Sequence, residues 1–148
     1  MDVRRMPVSE IMRRDFVSCG AKERLDFADQ VLRLGRFRHL PVLEDGKLVG
    51  IVSNRDVLAA ALTRVLAFSP GERRSFLHAI DVEEVMTREV VSAGPETPLA
   101  EAVERMLERK IGCLPIVDAG GTVVGLVTES DLLRAAFLGA AGAQSSGA

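Results

Sequence analysis

The segment Gly50-Ile51-Val52-Ser53-Asn54-Arg55-Asp56-Val57-Leu58 returns seventy-five residues later as Gly125-Leu126-Val127-Thr128-Glu129-Ser130-Asp131-Leu132-Leu133. Each copy joins an apolar strand to a hydroxyl residue and places an aspartate three positions later, at the predicted start of a helix. The unpaired N–H groups at a helix start favour an anion, and a carboxylate can accept hydrogen bonds from two neighbouring hydroxyls. The sequence therefore predicts two related sites, each suited to an anion and a diol.

The repeat extends upstream at an offset of seventy-four residues. The matched stretches are Val8-Ser9-Glu10-Ile11-Met12 with Val82-Glu83-Glu84-Val85-Met86, Phe16-Val17-Ser18 with Val90-Val91-Ser92, and Leu40-Pro41-Val42 with Leu114-Pro115-Ile116. The offset changes by one residue inside a predicted hairpin turn, where a loop tolerates an insertion and a strand does not. This pattern indicates duplication of a folded unit.

The repeat predicts two motifs, residues 1–68 and 82–138, joined by a linker over residues 69–81. A unit of about sixty residues is near the lower limit for independent stability, so we expect two half-units that share one core. Residues 139–148 are almost entirely Gly, Ala and Ser, which predicts a disordered tail.

The hydrophobic pattern gives both motifs the same order of elements. In each motif a helical turn (residues 8–12; 82–86) precedes a strand (16–18; 90–92), an amphipathic helix, a hairpin (40–43 with 48–52; 114–117 with 123–127) and a closing helix from Ser53 or Thr128. Thr97-Pro98 predicts an N-cap followed by Pro at the first helical position. The closing helices are apolar nearly all round, so we expect a homodimer that covers them.

The composition excludes several classes of partner. The net charge is −2, the arginines are mixed with acidic residues, and Trp and Tyr are absent, so a nucleic-acid interface is not expected. No apolar run approaches the roughly twenty residues of a membrane span, and a signal peptide is not evident. The two cysteines, Cys19 and Cys113, have neither metal-site nor redox spacing. We expect a cytoplasmic protein that has no metal, no cofactor and no membrane partner.

No catalytic constellation is evident in the sequence. It contains no Gly-x-Ser-x-Gly, no His-Glu-x-x-His and no phosphate-loop lysine, and it has two histidines in all. Catalysis requires a nucleophile or base held by a second group. We therefore predict that the protein is not an enzyme.

The element order, Leu-Pro-Val before the hairpin and Gly-(Ile/Leu)-Val-(Ser/Thr)-x-x-Asp after it, resembles a pair of CBS (cystathionine β-synthase) domains, or Bateman module. The resemblance covers residues 8–138. It implies an α/β (α+β) fold in which each motif is a small β-sheet with flanking helices and the tandem pair has pseudo-two-fold symmetry. The stretches MRRDFVS, RHLPV and VSNRD are also similar to the acetoin-utilisation type of small CBS protein.

The resemblance implies that adenosine nucleotides such as AMP, ADP and ATP, or S-adenosylmethionine, bind in the clefts between the motifs, with AMP or ATP expected here. The aspartates suit the ribose hydroxyls, while the Leu-Pro segments and first strands suit the adenine. The candidate ligand-binding residues are Val17, Ser18, Arg38, His39, Leu40, Pro41, Ser53, Asn54, Arg55, Asp56, Val91, Cys113, Leu114, Pro115, Thr128 and Asp131.

A structural role competes with ligand binding at both aspartates. Ser/Thr-x-x-Asp is close to a capping box, in which the hydroxyl caps the helix and the carboxylate reaches back to the cap residue's N–H. The two roles can coexist.

The two copies are not equivalent in charge. The first has Arg55 between the hydroxyl and the aspartate, and Arg38 and His39 before Leu-Pro, all suited to phosphate. The second has Glu129, which repels phosphate unless it turns outward. If each site is built mainly from its own repeat, the Asp56 site is the stronger one.

These observations favour a regulatory module that binds an adenine nucleotide and signals to an unidentified effector protein by a shift between conformations. The alternative is a homodimeric interaction or scaffold protein that uses the same fold and needs no ligand.

Overall fold

A computed structural model describes residues 2–62 and 70–139. The chain forms two compact units, which we name after their aspartates: the Asp56 unit is Val17–Val90, and the Asp131 unit combines Met1–Phe16 with Val91–Ala148. Each unit has its own buried apolar cluster. The fold is mixed α/β with two small sheets, as the sequence predicts.

The Asp56 unit is built around a three-stranded sheet. Its elements are β1 (Cys19–Gly20), α1 (Leu25–Gly35), β2 (His39–Glu44), β3 (Lys47–Ser53), α2 (Asn54–Leu62), α3 (Pro70–His78) and a 3-10 turn (Val82–Glu84). β1 is parallel to β2, and β2 and β3 form an antiparallel hairpin. The hairpin turn contains Asp45 and Gly46, both with positive φ (51° and 78°), which suits the Asp-Gly sequence of a tight turn.

The Asp131 unit repeats this plan with one strand fewer. Its elements are two 3-10 turns (Val3–Arg5 and Val8–Glu10), α4 (Leu99–Arg109), β4 (Cys113–Val117), β5 (Val123–Thr128) and α5 (Glu129–Leu138). β4 and β5 pair antiparallel. A parallel bridge between Ala93 and Ile116 occupies the place that β1 has in the other unit. Both hairpins and both closing helices therefore confirm the predictions.

The opening turn of each motif packs in the unit that holds the other motif's hairpin. Val8, Ile11 and Met12 are buried in the core of the Asp131 unit, and Val82 and Met86 in that of the Asp56 unit. These turns reach the sheets through two equivalent bridges, Arg13 to Leu126 and Thr87 to Ile51. A residue that belongs to one repeat in sequence can thus belong to the other repeat's unit in space.

The glycine that opens each repeated segment permits this packing. A Cβ on Gly125 would lie 2.6 Å from Met12 Sδ, and a Cβ on Gly50 would lie 2.5 Å from Met86 Sδ and 2.9 Å from the Thr87 carbonyl oxygen. Such separations are far inside van der Waals contact. The glycine of Gly-(Ile/Leu)-Val is therefore required by the close approach of the opening turn.

Two local predictions are wrong. Residues 16–18 and 90–92 are not strands, since pairing begins later, at Cys19 and Ala93. Pro98, and not Thr97, is the residue before α4, and the Thr97 hydroxyl accepts a hydrogen bond from Gly94 N–H at 3.2 Å.

Most of the predicted linker is helical, since α3 begins at Pro70. Proline is tolerated in the first turn of a helix because the N–H it lacks would have no helical partner there. The predicted disordered tail lies outside the described residues, apart from Gly139.

Candidate functional site

The predicted capping box is present in the Asp56 unit at the junction of β3 and α2. Asp56 Oδ2 accepts hydrogen bonds from Ser53 N–H at 2.8 Å and from the Ser53 hydroxyl at 3.0 Å, and Asp56 N–H donates to Ser53 Oγ at 3.2 Å. Within residues 2–62 and 70–139, no hydrogen bond engages Asp56 Oδ1. The cap therefore occupies one oxygen of the carboxylate and leaves the other available.

The same junction in the Asp131 unit is closed by an arginine. Asp131 Oδ2 accepts from Thr128 N–H at 2.8 Å and from the Thr128 hydroxyl at 2.9 Å. Asp131 Oδ1 accepts from Arg13 Nε at 2.9 Å, and the side-chain exposures of Arg13 and Asp131 are 21% and 0%. Both oxygens of this buried carboxylate are engaged, so a diol would have to displace Arg13.

One substitution between the repeats explains the difference. Arg13 and Thr87 are equivalent residues, because each exchanges backbone hydrogen bonds with the middle of a hairpin strand, at Leu126 or Ile51. The arginine side chain reaches the aspartate in the first turn of the following helix, whereas a threonine side chain is much shorter. The expectation that each site is built mainly from its own repeat fails here, since Arg13 precedes the first hairpin in sequence and acts at the second.

Two arginines flank the junction of β3 and α2: Arg38 comes directly before β2, and Arg55 is the second residue of α2. Arg38 and Arg55 are exposed, and no ion pair to either is present in the described part of the chain. Asn54 ties the start of α2 to the segment before β2, because its N–H donates to the Arg38 carbonyl at 3.2 Å and its side chain donates to the Phe37 carbonyl at 3.3 Å. The structure thus brings Arg38 and Asn54 together near Ser53 and Asp56.

A cavity of about 570 Å³ opens beside this junction. Its lining consists of Asp29, Leu32, Arg33, Arg36, Phe37, Arg38 and Asn54, and we name it the arginine pocket. Its volume lies within the roughly 300–1,000 Å³ of small-molecule sites. Sequence reasoning identified Arg38 and Asn54 but missed the contribution of α1, although Arg33 interrupts the apolar pattern of that helix and Arg36 directly follows its last residue.

The other predicted site residues divide by burial. Leu40, Pro41, Leu114, Pro115 and Cys113 have buried side chains within the two hairpins, so a ligand would meet their backbone groups. Val17 is 39% exposed. The remaining predicted residues, Ser18, His39 and Val91, are partly buried.

The cysteines behave as core residues. Cys19 and Cys113 are free and buried, and burial raises the pKa of each thiol to about 12, with Asp131 contributing to the raised pKa of Cys113. Across residues 2–62 and 70–139, no group of three or more His, Cys, Asp or Glu could hold a metal ion. No helix in the described part of the chain is long and apolar enough to cross a bilayer.

Residues 8–63 and 82–137 each match the CBS domain family. The chain therefore belongs to this family and carries a tandem pair of CBS motifs. It spans 23% and 46% of the lengths of two curated archaeal relatives, to which it is 32% and 34% identical.

Three solved structures have the same fold, and two of them contain a named ligand. A protein assigned to acetoin utilization, AcuB from Vibrio cholerae, is 33% identical with a TM-score of 0.73, covering 90% of this chain and 91% of its own. CBSX2 in complex with AMP is 27% identical with a TM-score of 0.77, covering 90% and 97%. The CBS domain pair of protein MJ0100, in complex with 5′-methylthioadenosine and S-adenosyl-L-methionine, is 27% identical with a TM-score of 0.73, covering 87% and 98%.

Proposed function

We propose that this protein is a non-catalytic regulatory module that binds an adenine nucleotide at the Asp56 unit. The observation that carries the proposal is the free Oδ1 of Asp56, beside a helix start that is already capped. A carboxylate oxygen in this position can accept hydrogen bonds from a ribose diol without disturbing the cap. Two related proteins, CBSX2 and the CBS domain pair of MJ0100, are in complex with adenosine compounds.

Charge supports a phosphorylated ligand at this unit. Arg38 and Arg55 lie on either side of Ser53 in the chain, and neither has a carboxylate partner in the described residues. An unpaired arginine gains a charge-assisted hydrogen bond from phosphate without breaking an existing ion pair. The proposed contacts are Asp56 to the ribose and the backbone of residues 17–18 and 39–41 to the adenine. Ser53 and Arg55 would hold the first phosphate, and Asn54 and Arg38 lie where any further phosphate would extend.

The Asp131 unit is proposed as the weaker site. Arg13 occupies the carboxylate oxygen that the diol would need, and Glu129 at the start of α5 is exposed and adds a negative charge. Binding of a diol at Asp131 would require the ion pair between Arg13 and Asp131 to break. We therefore expect one dominant nucleotide per chain, bound at the Asp56 unit. The equivalent site at Thr128 and Asp131 is closed by Arg13.

Signalling is proposed to follow from the position of the ligand. It would contact β2, β3 and α2 together and would stabilise the arrangement of these elements in which it binds best. An effector protein that distinguishes this arrangement would then bind differently in the presence of the nucleotide. The proposal places these events in the cytoplasm, which is consistent with the two free, buried cysteines.

Calorimetric titration with AMP, ADP, ATP and S-adenosylmethionine tests the proposal. Asp56→Asn retains a capping oxygen but removes the charge, and we expect it to weaken nucleotide binding at least about tenfold. Asp131→Asn is the matched variant and is expected to leave the dominant binding event unchanged. The reverse order would refute the assignment of the stronger site.

The exposed apolar residues on two helices favour the second candidate, a homodimeric scaffold that needs no ligand. Leu58 and Leu62 on α2 are 51% and 52% exposed, and Leu133, Phe137 and Leu138 on α5 are 60%, 81% and 74% exposed. Side chains of this size on one chain favour burial against another copy. A dimeric mass by light scattering that Phe137→Asp reduces to a monomer, together with no nucleotide binding below millimolar concentration, would favour the scaffold.

A further inference from the structure

The arginine pocket carries a net positive charge that is separate from the charge of Arg55, which does not line it. Three arginines and one aspartate line it, which gives a formal charge of +2. Arg33 is partly neutralised, since its Nε and Nη2 lie 3.2 and 3.0 Å from the two oxygens of Asp29. Arg36 and Arg38 are exposed and make no ion pair within the described residues. The uncompensated charge therefore lies on Arg36 and Arg38.

The local backbone explains why these arginines converge. α1 ends at Gly35, and Arg36 follows in the left-handed conformation with φ of 55°. The Arg36 and Phe37 N–H groups donate to carbonyls of the last helical turn, so the chain reverses direction and enters β2 beside the helix end. A Cβ on Gly35 would collide with the Phe37 ring. The tight reversal places Arg36, on the end of α1, next to Arg38, at the start of β2.

The second repeat provides an internal reference. Lys110 occupies the position of Arg36 and has the same left-handed conformation, with φ of 54°. Glu129 occupies the position of Asn54. The residues equivalent to the other five lining residues of the arginine pocket are uncharged, so the charges of Lys110 and Glu129 cancel and the formal charge at this place in the Asp131 unit is zero. The shared backbone therefore does not require the positive charge, which is specific to the Asp56 unit.

We propose that the arginine pocket is a second anion subsite, which holds the distal phosphates of a nucleoside di- or triphosphate. This inference rests on the proposed function, because it takes the first phosphate to lie at Ser53 and Arg55. Asn54 joins the two subsites, since it lines the pocket and adjoins Ser53. A chain of phosphates that passes Asn54 enters the space in front of Arg38 and Arg36. The Asp56 unit thus discriminates nucleotides by phosphate number.

Calorimetry with AMP, ADP, ATP and inorganic tripolyphosphate, in magnesium-free buffer, tests this inference. The variant is Arg36→Gln, which removes the charge and keeps a polar side chain in the left-handed position. Lys110→Gln makes the same change at the equivalent position of the Asp131 unit and serves as the control. Thermal melts of both variants confirm that the fold is retained.

Wild-type protein is expected to bind ATP about tenfold more tightly than AMP, the effect of one additional charged hydrogen bond. Arg36→Gln removes most of this advantage and changes AMP affinity less than about twofold, whereas Lys110→Gln changes neither affinity. Raising the salt concentration weakens ATP binding more than AMP binding, because these contacts are exposed and screened.

Two results would overturn the inference and leave the proposed function intact: equal affinity of wild-type protein for AMP and ATP, or an equal loss of both affinities in Arg36→Gln. If no nucleotide binds, the proposed function is refuted. The tripolyphosphate titration then tests the anion subsite by itself. Binding to wild-type protein but not to Arg36→Gln supports the subsite, and absence of binding to either protein overturns it.

Discussion

Replacement of Arg13 by threonine converts the junction at Asp131 into the form found at Asp56, where Thr87 occupies the equivalent position. The substitution removes the 2.9 Å hydrogen bond from Arg13 Nε to Asp131 Oδ1. Asp131 keeps its two hydrogen bonds from Thr128 but becomes a buried charge without a counter-ion. The change should therefore destabilise the fold and, at the same time, free the oxygen that a ligand would use.

The expected loss of stability is about 3 kcal/mol. Removing one partner of a buried ion pair typically costs about 3–5 kcal/mol, and the lower end applies because water can enter the space that the arginine leaves. A loss of this size lowers the melting temperature by about 9 °C for a chain of this length. Urea unfolding followed by circular dichroism measures the free energy directly.

Arg14→Thr is the matched control for this measurement. Arg14 is exposed, and its side chain makes one hydrogen bond, to the Ser9 carbonyl at 3.2 Å, so its replacement should change the unfolding free energy by about 0.5 kcal/mol or less. In the double mutant with Asp131→Asn, the loss caused by Arg13→Thr should shrink by at least about 1 kcal/mol, because no buried charge is left unpaired. Equal effects of Arg13→Thr and Arg14→Thr would refute the reasoning.

Three further outcomes are expected. Thr87→Arg should place an arginine against Asp56 as Arg13 lies against Asp131, so calorimetry should show AMP affinity reduced at least about tenfold; unchanged affinity would argue against the equivalence of the two positions. Gly50→Ala should destabilise the fold by about 1–3 kcal/mol in urea unfolding, since the added Cβ overlaps Met86. The Cys113 thiol, with its pKa raised to about 12, is about one part in 10⁴ thiolate at pH 8 and should not react with a disulfide reagent until the protein unfolds; its fraction of thiolate rises only as the pH approaches 12.

The hairpins and closing helices were predictable because their signals are local. Alternating apolar residues on both sides of a glycine-containing turn define β2 with β3 and β4 with β5, and Ser53 and Thr128 mark the helix starts that follow. The first strands were misplaced because β1 is two residues long, and its pairing with Val42 and Leu43 depends on a contact that sequence periodicity does not report.

The asymmetry of the two aspartates was predictable only in part. The charges at Arg55 and Glu129 are visible in the aligned repeats, and they favour the Asp56 site. The closure of Asp131 required knowledge that residue 13 lies beside residue 131, a separation of 118 positions. The contrast between Arg13 and Thr87 is visible in the aligned repeats. Its effect on the aspartates depends on the packing of the opening turns, which the sequence does not reveal.

Because each opening turn packs in the unit that holds the other motif's hairpin, the segments of the two units are synthesised in a different order. The Asp56 unit, Val17–Val90, is one continuous stretch, so all of its contacts are available once Val90 has emerged from the ribosome. The Asp131 unit needs Met1–Phe16, which precedes the Asp56 unit in the chain, and Val91–Ala148, which follows it. Since pairing of distant segments is slow and domains generally fold as units during translation, the Asp56 unit can fold before the Asp131 unit, whose first segment must wait for its second.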